Sequence, residues 1–181
     1  MPYLMTQRHI LILDCTTTQE PSEGRLLKDY LEICKLWKPS SASSLYFKVR
    51  GKRDFLNKLD TDKKYDIVHI SAHGLAERSD VIVGNGTTWW ATPEEIQERA
   101  RLRARLVFVN ACLNNRKAMR EAFSGCKYFL APNTSVRWDK AALFAILFYQ
   151  RYIIKGSEMK NAFEYARTRS GAATDYPDYW E

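Results

Sequence analysis

Three short, almost wholly apolar runs constrain this chain most: Ile10-Leu-Ile-Leu13, Ile67-Val-His-Ile70 and Leu106-Val-Phe-Val109. None offers water a polar face, so each reads as a strand covered on both sides, as in parallel sheets. With their flanks they predict strands over residues 9–14, 65–71 and 106–110. The segments between them change period. Residues 23–37 place Leu26, Leu27, Tyr30, Leu31 and Ile33/Cys34 at helical spacing, and Pro39 with a serine cluster ends that helix. Residues 45–50 alternate like a strand and 52–59 suit a short helix. Strands alternating with helices imply an α/β domain with a largely parallel sheet.

The second half continues the alternation. Gly84-Asn-Gly86 lies between two β-prone stretches, 81–83 and 87–90, which marks a hairpin. Thr92-Pro93-Glu94-Glu95 opens a helix: threonine caps it, proline suits its first turn, and the acids face its positive end. A helix through Phe123, a strand over 128–131 and two amphipathic helices over 138–154 and 157–169 follow. With 181 residues and no long linker, one domain over residues 1–170 is expected, with 171–181 as a loosely held tail.

Hydrophobic residues at 45% supply a core and exclude a disordered chain. The net charge of +7 attracts anionic partners in general. It falls in separate groups, Lys48, Arg50, Lys52, Arg53 and Arg99, Arg101, Arg103, Arg105, which read as solvated faces. Cys15, Cys34, Cys112 and Cys126 have no paired-ligand spacing and the three histidines complete no zinc pattern, so no metal and no cofactor are expected. Residues 1–9 lack the apolar run of a secretory leader, and 141–149, the longest apolar candidate, is too short to span a bilayer. The expectation is a cytoplasmic protein with reduced thiols and no membrane partner.

In parallel sheets, ligands bind beyond the carboxyl ends of the strands. His73 lies just past the strand 65–71 and Cys112 just past 106–110. If these strands are neighbours, thiol and imidazole face each other across one edge of the sheet. Thiolate is the nucleophile, and imidazole takes up its proton and later protonates a leaving amine. Gly74 lets its backbone N–H approach a substrate carbonyl and, with the N–H of Cys112, stabilise an oxyanion. Taken singly, each residue has a structural reading: cysteine is a common core hydrophobe, and a histidine closing a strand is usually packed. Cys15, Cys34, Cys126 and His69 are read as structural.

An apolar strand ending in His-Gly, then an apolar strand ending in Ala-Cys, resembles the caspase-like cysteine peptidases. Ile67-Val-His-Ile-Ser-Ala-His-Gly74 and Leu106-Val-Phe-Val-Asn-Ala-Cys112 carry the resemblance, with the reactive pair 39 residues apart against about 50 in caspases. Within that superfamily the chain looks most like the CHAT branch, through Glu121-Ala-Phe-Ser-Gly-Cys-Lys-Tyr-Phe-Leu130 and the closing helices, so that roughly residues 62–168 are covered. It departs at Leu113-Asn114-Asn115, where the branch often has Thr and Gly, and in the loop 133–138. The resemblance implies a three-layer sandwich, a mostly parallel central sheet with helices on both faces. It also implies a substrate pocket from Asp14, Asn110 and the loop 133–137 around Ser135. Asp14 there would favour a basic substrate side chain, its structural reading being a turn or helix-cap role; Arg137 would favour an acidic one.

Two function classes follow. One is an intracellular cysteine endopeptidase with a His-Cys dyad and an acyl-thioenzyme intermediate, in bacterial signalling or defence, acting on protein or peptide substrates and regulated through a partner chain. The other is an inactive caspase-like domain serving as a protein-binding scaffold. Nucleic-acid binding ranks last, since no aromatic–basic motif appears at a recognisable spacing. Dinucleotide binding has no G-x-G-x-x-G behind the first strand.

Overall fold

The computed structural model describes residues 7–75, 78–114 and 117–176. A five-stranded parallel sheet runs through its centre in the order β2-β1-β3-β7-β8, from β1 (Arg8–Asp14), β2 (Ala42–Lys48), β3 (Lys64–Ser71), β7 (Arg103–Asn110) and β8 (Tyr128–Leu130). The three apolar runs form its three central strands, which is why they need no polar face. Alternate residues feed two cores. Ile10, Ile12, Ile67, Leu106 and Phe108 point to one face, where α1 (Glu23–Trp37), α5 (Trp138–Tyr149) and α6 (Met159–Arg169) pack. Leu11, Leu13, Val68, Ile70, Val107 and Val109 point to the other, toward α2 (Lys52–Leu59), α3 (Pro93–Arg99) and α4 (Lys117–Ala122). Burying one such aliphatic side chain contributes roughly 1.5–3 kcal/mol. The three-layer sandwich is therefore present.

A second, antiparallel sheet, β4 (His73–Leu75), β5 (Arg78–Gly84) and β6 (Trp89–Ala91), stands on the carboxyl edge of the first. The expected hairpin is its β5–β6 arm, turned by Asn85, Gly86 and Thr87 at φ of 50°, 62° and 74°. Gly84 is confined there: a Cβ would lie 2.2 Å from the Trp89 ring. Thr92 and Glu95 form the reciprocal cap that opens α3.

Three expectations are corrected. The second strand is Ala42–Lys48 rather than 45–50. The helix expected over 138–154 becomes a π-helical turn from Gln150 to Ile154. The tail from 171 is not loose as far as residue 176. Ala172 and Tyr176 are fully buried, and the Tyr176 ring stacks on Phe144 with centroids 4.0 Å apart. Residues 177–181 lie outside the described residues.

Candidate active site

β3 and β7 are neighbours, and Ser71 pairs with Asn110 at their carboxyl ends. One step on, the Ala72 N–H donates to the Asn110 carbonyl at 3.3 Å. His73 and Cys112 therefore leave the sheet side by side, on strands about 4.8 Å apart. Both are half-buried and border one small cleft of about 60 Å³, with Gly74, Asn110, Val136 and Trp138. A larger groove of about 420 Å³ shares Trp138 with it and is lined by Arg25, Leu26, Asp29 and Ala142 among others.

The turn that presents Cys112 is held on all sides. Leu113 sits at φ 61°, a left-handed conformation that glycine adopts without strain and leucine does not. Its N–H donates to the Thr134 carbonyl (3.3 Å), and the Asn114 N–H donates to Pro132 (3.1 Å). The Asn114 side chain is fully buried, and its amide donates to the carbonyls of Cys112 (2.8 Å), Val81 (3.2 Å) and Ala111 (3.4 Å). Gly74 crosses this turn so closely that a Cβ would lie 1.9 Å from the Cys112 carbonyl oxygen. Sequence reading treated Leu113 and Asn114 only as a departure from a pattern; in the fold they fix the turn.

Cys112 Sγ accepts from the Val136 N–H at 3.3 Å and reaches the Val136 carbonyl at 3.8 Å. A thiolate accepts from such a donor more strongly than a thiol does. Sγ makes no direct hydrogen bond to His73; the two share the cleft. His73 Nε2 instead lies 3.3 Å from the Glu20 carboxylate, and Trp138 packs edge-on against the imidazole at 5.1 Å. Glu20 comes from the loop after β1, and nothing in the sequence linked it to a histidine 53 residues away. The Thr17 backbone N–H (2.8 Å) and, secondarily, His73 hold its carboxyl below the ordinary glutamate range. A neutral imidazole that donates to Glu20 from Nε2 keeps Nδ1 as its basic nitrogen.

The other three thiols are shifted by their surroundings. Burial pushes Cys15 well up and Cys126 up to about 11, and it raises Cys34 as well. All three stay protonated near neutrality. His69 is fully buried between Glu23 (2.9 Å) and the Tyr149 hydroxyl (3.1 Å), the packed role expected of it.

Of the expected pocket residues, Asn110 lines the cleft, and its carboxamide bonds Tyr176 and the Ala141 carbonyl. Ser135 is exposed, one residue before the Val136 amide that holds Sγ. Asp14 is placed otherwise. It is fully buried and accepts from the Thr16 hydroxyl (2.7 Å), Tyr46 (2.6 Å), Lys48 (3.1 Å), the Thr16 N–H (3.0 Å) and Ser22. Burial alone would raise its pKa; bonds from Ser22, Tyr46, Thr16 and Lys48 outweigh that and hold it lowered. In this structure Asp14 is a saturated turn and cap ligand with no carboxylate oxygen turned to a substrate. Arg137 is likewise engaged, by a two-bond pair with Asp139 at 2.8 and 3.1 Å.

No protein-family model matches the sequence, and no curated protein matches it. Solved structures do. The Arg-specific cysteine proteinase gingipain R (RgpB) aligns over 95% of this chain and 45% of its own, with a TM-score of 0.61 at 10% identity. A complex of the Porphyromonas gingivalis RgpB pro- and mature domains gives 0.59 at 12% identity, over 94% and 46%. Caspase-1 from Spodoptera frugiperda gives 0.57 at 11% identity, over 90% and 76%. The chain thus spans less than half the length of the gingipain chains it matches. At these identities the likeness shows the fold alone: an α/β sandwich folded like gingipain R and caspase-1.

Proposed function

We propose that the chain is a cysteine endopeptidase of the caspase-like type, with Cys112 as nucleophile and His73 as its proton-transfer partner. The observation that carries this is their meeting at one cleft beyond the carboxyl ends of adjacent parallel strands, with an ionised Glu20 behind the imidazole. Transfer of the thiol proton to His73 frees the thiolate to attack a peptide carbonyl. The oxyanion is stabilised by the backbone N–H groups of Gly74 and Cys112. The imidazolium, facing the Glu20 carboxylate, then protonates the leaving amine, and water hydrolyses the thioester. Glu20 acts as a positioning residue, fixing the ring tautomer and countering the charge the ring acquires. The groove beyond Trp138 is wide enough to receive a substrate side chain. Membership of the CHAT branch and a role in bacterial signalling or defence belong to this same reading.

One observation favours the scaffold alternative: both contacts of Sγ are with Val136. Catalytic bonds are often long before substrate binds, so a peptide or regulatory chain in the cleft would have to draw Sγ to His73. The test is cleavage of a peptide library by the wild type, Cys112→Ala and His73→Ala proteins, each checked for folding. Cleavage that both variants lose supports the peptidase. Binding of peptides without cleavage in all three supports the scaffold.

A further inference from the structure

The basic residues that look scattered along the sequence converge in the fold. The strands all start at one pole, opposite the Cys112 cleft. Lys64 pairs with Arg103 across β3 and β7, Arg105 lies two residues on, the Arg103 N–H donates to Lys63, and the Lys127 N–H donates to Ala104. Lys155 closes the π-helical turn at the same end. Lys63, Lys64, Arg103, Arg105, Lys127 and Lys155 are all exposed, and none makes an ion pair among the described residues. Of the acids at that end, Asp66 pairs with Arg8 and Asp60 with Arg101. Asp62, 86% exposed and 4.0 Å from Arg101, stays open, as do the exposed carboxylates Glu98 and Glu158.

A second observation sits beside this row. α1 runs back against the strands and ends at the same pole: Lys38 Nζ reaches the Ile154 carbonyl at 3.2 Å, and the Arg8 N–H donates to Ser41 at 3.3 Å. Its last turn carries Leu36 and Trp37, 82% and 86% exposed, and Ile33 at 56%. From β2 to β8 the edge spans four strand steps, about 19 Å.

We propose that this pole is a peripheral docking face for an anionic phospholipid surface, with the cations on headgroup phosphates and carboxylates and Trp37 and Leu36 entering the interface. Cations attract anionic leaflets, and tryptophan favours the headgroup level. A nucleic acid would meet the charge and could stack on Trp37, but it gives Leu36 and Ile33 nothing to bury against; lipid accounts for all of them. Among the described residues no helix is long and apolar enough to cross a membrane, and surface docking needs none. It would leave the Cys112 cleft turned outward, and it does not depend on the peptidase reading.

The experiment is co-sedimentation with phosphatidylcholine vesicles, with and without phosphatidylserine. Binding is expected only with phosphatidylserine, weakening as salt is raised. Lys64→Gln/Arg103→Gln/Arg105→Gln should lower the affinity by roughly fivefold per cation removed, about a hundredfold in all, with the thermal midpoint unchanged. Trp37→Ser, an exposed single substitution, should weaken binding independently of the triple variant. Absence of binding, binding indifferent to these substitutions, or preferential binding of a single-stranded oligonucleotide would each overturn the proposal.

Discussion

Gly74→Ala tests the packing behind the proposed oxyanion site. The added Cβ would lie 1.9 Å from the Cys112 carbonyl oxygen and 2.7 Å from its carbonyl carbon, whereas ordinary contact begins near 3.4 Å. Strand and turn must therefore separate by roughly 1.5 Å, and both obstructing atoms are backbone. The turn cannot yield freely, because the Thr134 and Pro132 carbonyls and the Asn114 amide hold it. Overpacking of this kind costs about 1–3 kcal/mol, or a thermal midpoint lower by roughly 2–4 °C per kcal/mol for a chain this size. A displacement of about 1 Å at reacting groups can lower a rate about a hundredfold. The assay pairs thermal unfolding with the rate of Cys112 acylation by an activated peptide ester. Gly51→Ala is the control, since nothing lies within 4 Å of a Cβ there. Unchanged stability and an unchanged rate in Gly74→Ala would refute the close crossing and the oxyanion assignment with it.

Replacing Glu20 by Gln keeps the shape and removes the counter-charge 3.3 Å from His73; for a pair partly open to solvent the loss is about 1 kcal/mol, so acylation should slow about fivefold while the fold is unchanged. Asn114→Ala removes a buried amide from three carbonyls and should cost about 2–4 kcal/mol in denaturant unfolding. Lys48→Met strips the cation from fully buried Asp14; broken buried pairs cost about 3–5 kcal/mol, and Lys48 keeps some solvent contact, so about 2–3 kcal/mol is expected. Asp14 titrates below its ordinary 3.8, so its contribution is complete above that value and is lost as pH falls through its depressed one. Thermal midpoints of wild type and Asp14→Asn should converge in that acid range, and parallel curves would contradict the assignment.

How legible each part was follows from how local its cause is. β1, β3 and β7 could be read because burial on both faces leaves their central runs, 10–13, 67–70 and 106–109, with no polar residue but His69, which has its own buried partners. α2, α1 and the capped start of α3 could be read because spacing and caps act within a turn or two. β2 shifted because an edge strand rich in serine carries little periodicity, and the π-helical turn at Gln150–Ile154 leaves no compositional trace. His73 and Cys112 were singled out as candidates because each follows directly on an apolar strand. Glu20 was not, since its partner is set by how the loop after β1 folds over the sheet. For Asp14 the sequence left a pocket role and a turn or cap role side by side, because Tyr46 and Lys48, which saturate it, come from a neighbouring strand. Charge totals, too, said nothing of the pole where cations without an ion pair among the described residues gather.

The central claim, a Cys112–His73 pair competent for acyl transfer, is tested most directly by intact-mass labelling with a peptide electrophile, offering basic and acidic side chains in turn. A single adduct on Cys112, absent in His73→Ala, is the predicted result, with Cys15, Cys34 and Cys126 unlabelled because burial keeps them protonated. No selective labelling of the folded protein, or labelling of Cys112 that ignores the loss of His73, would contradict it.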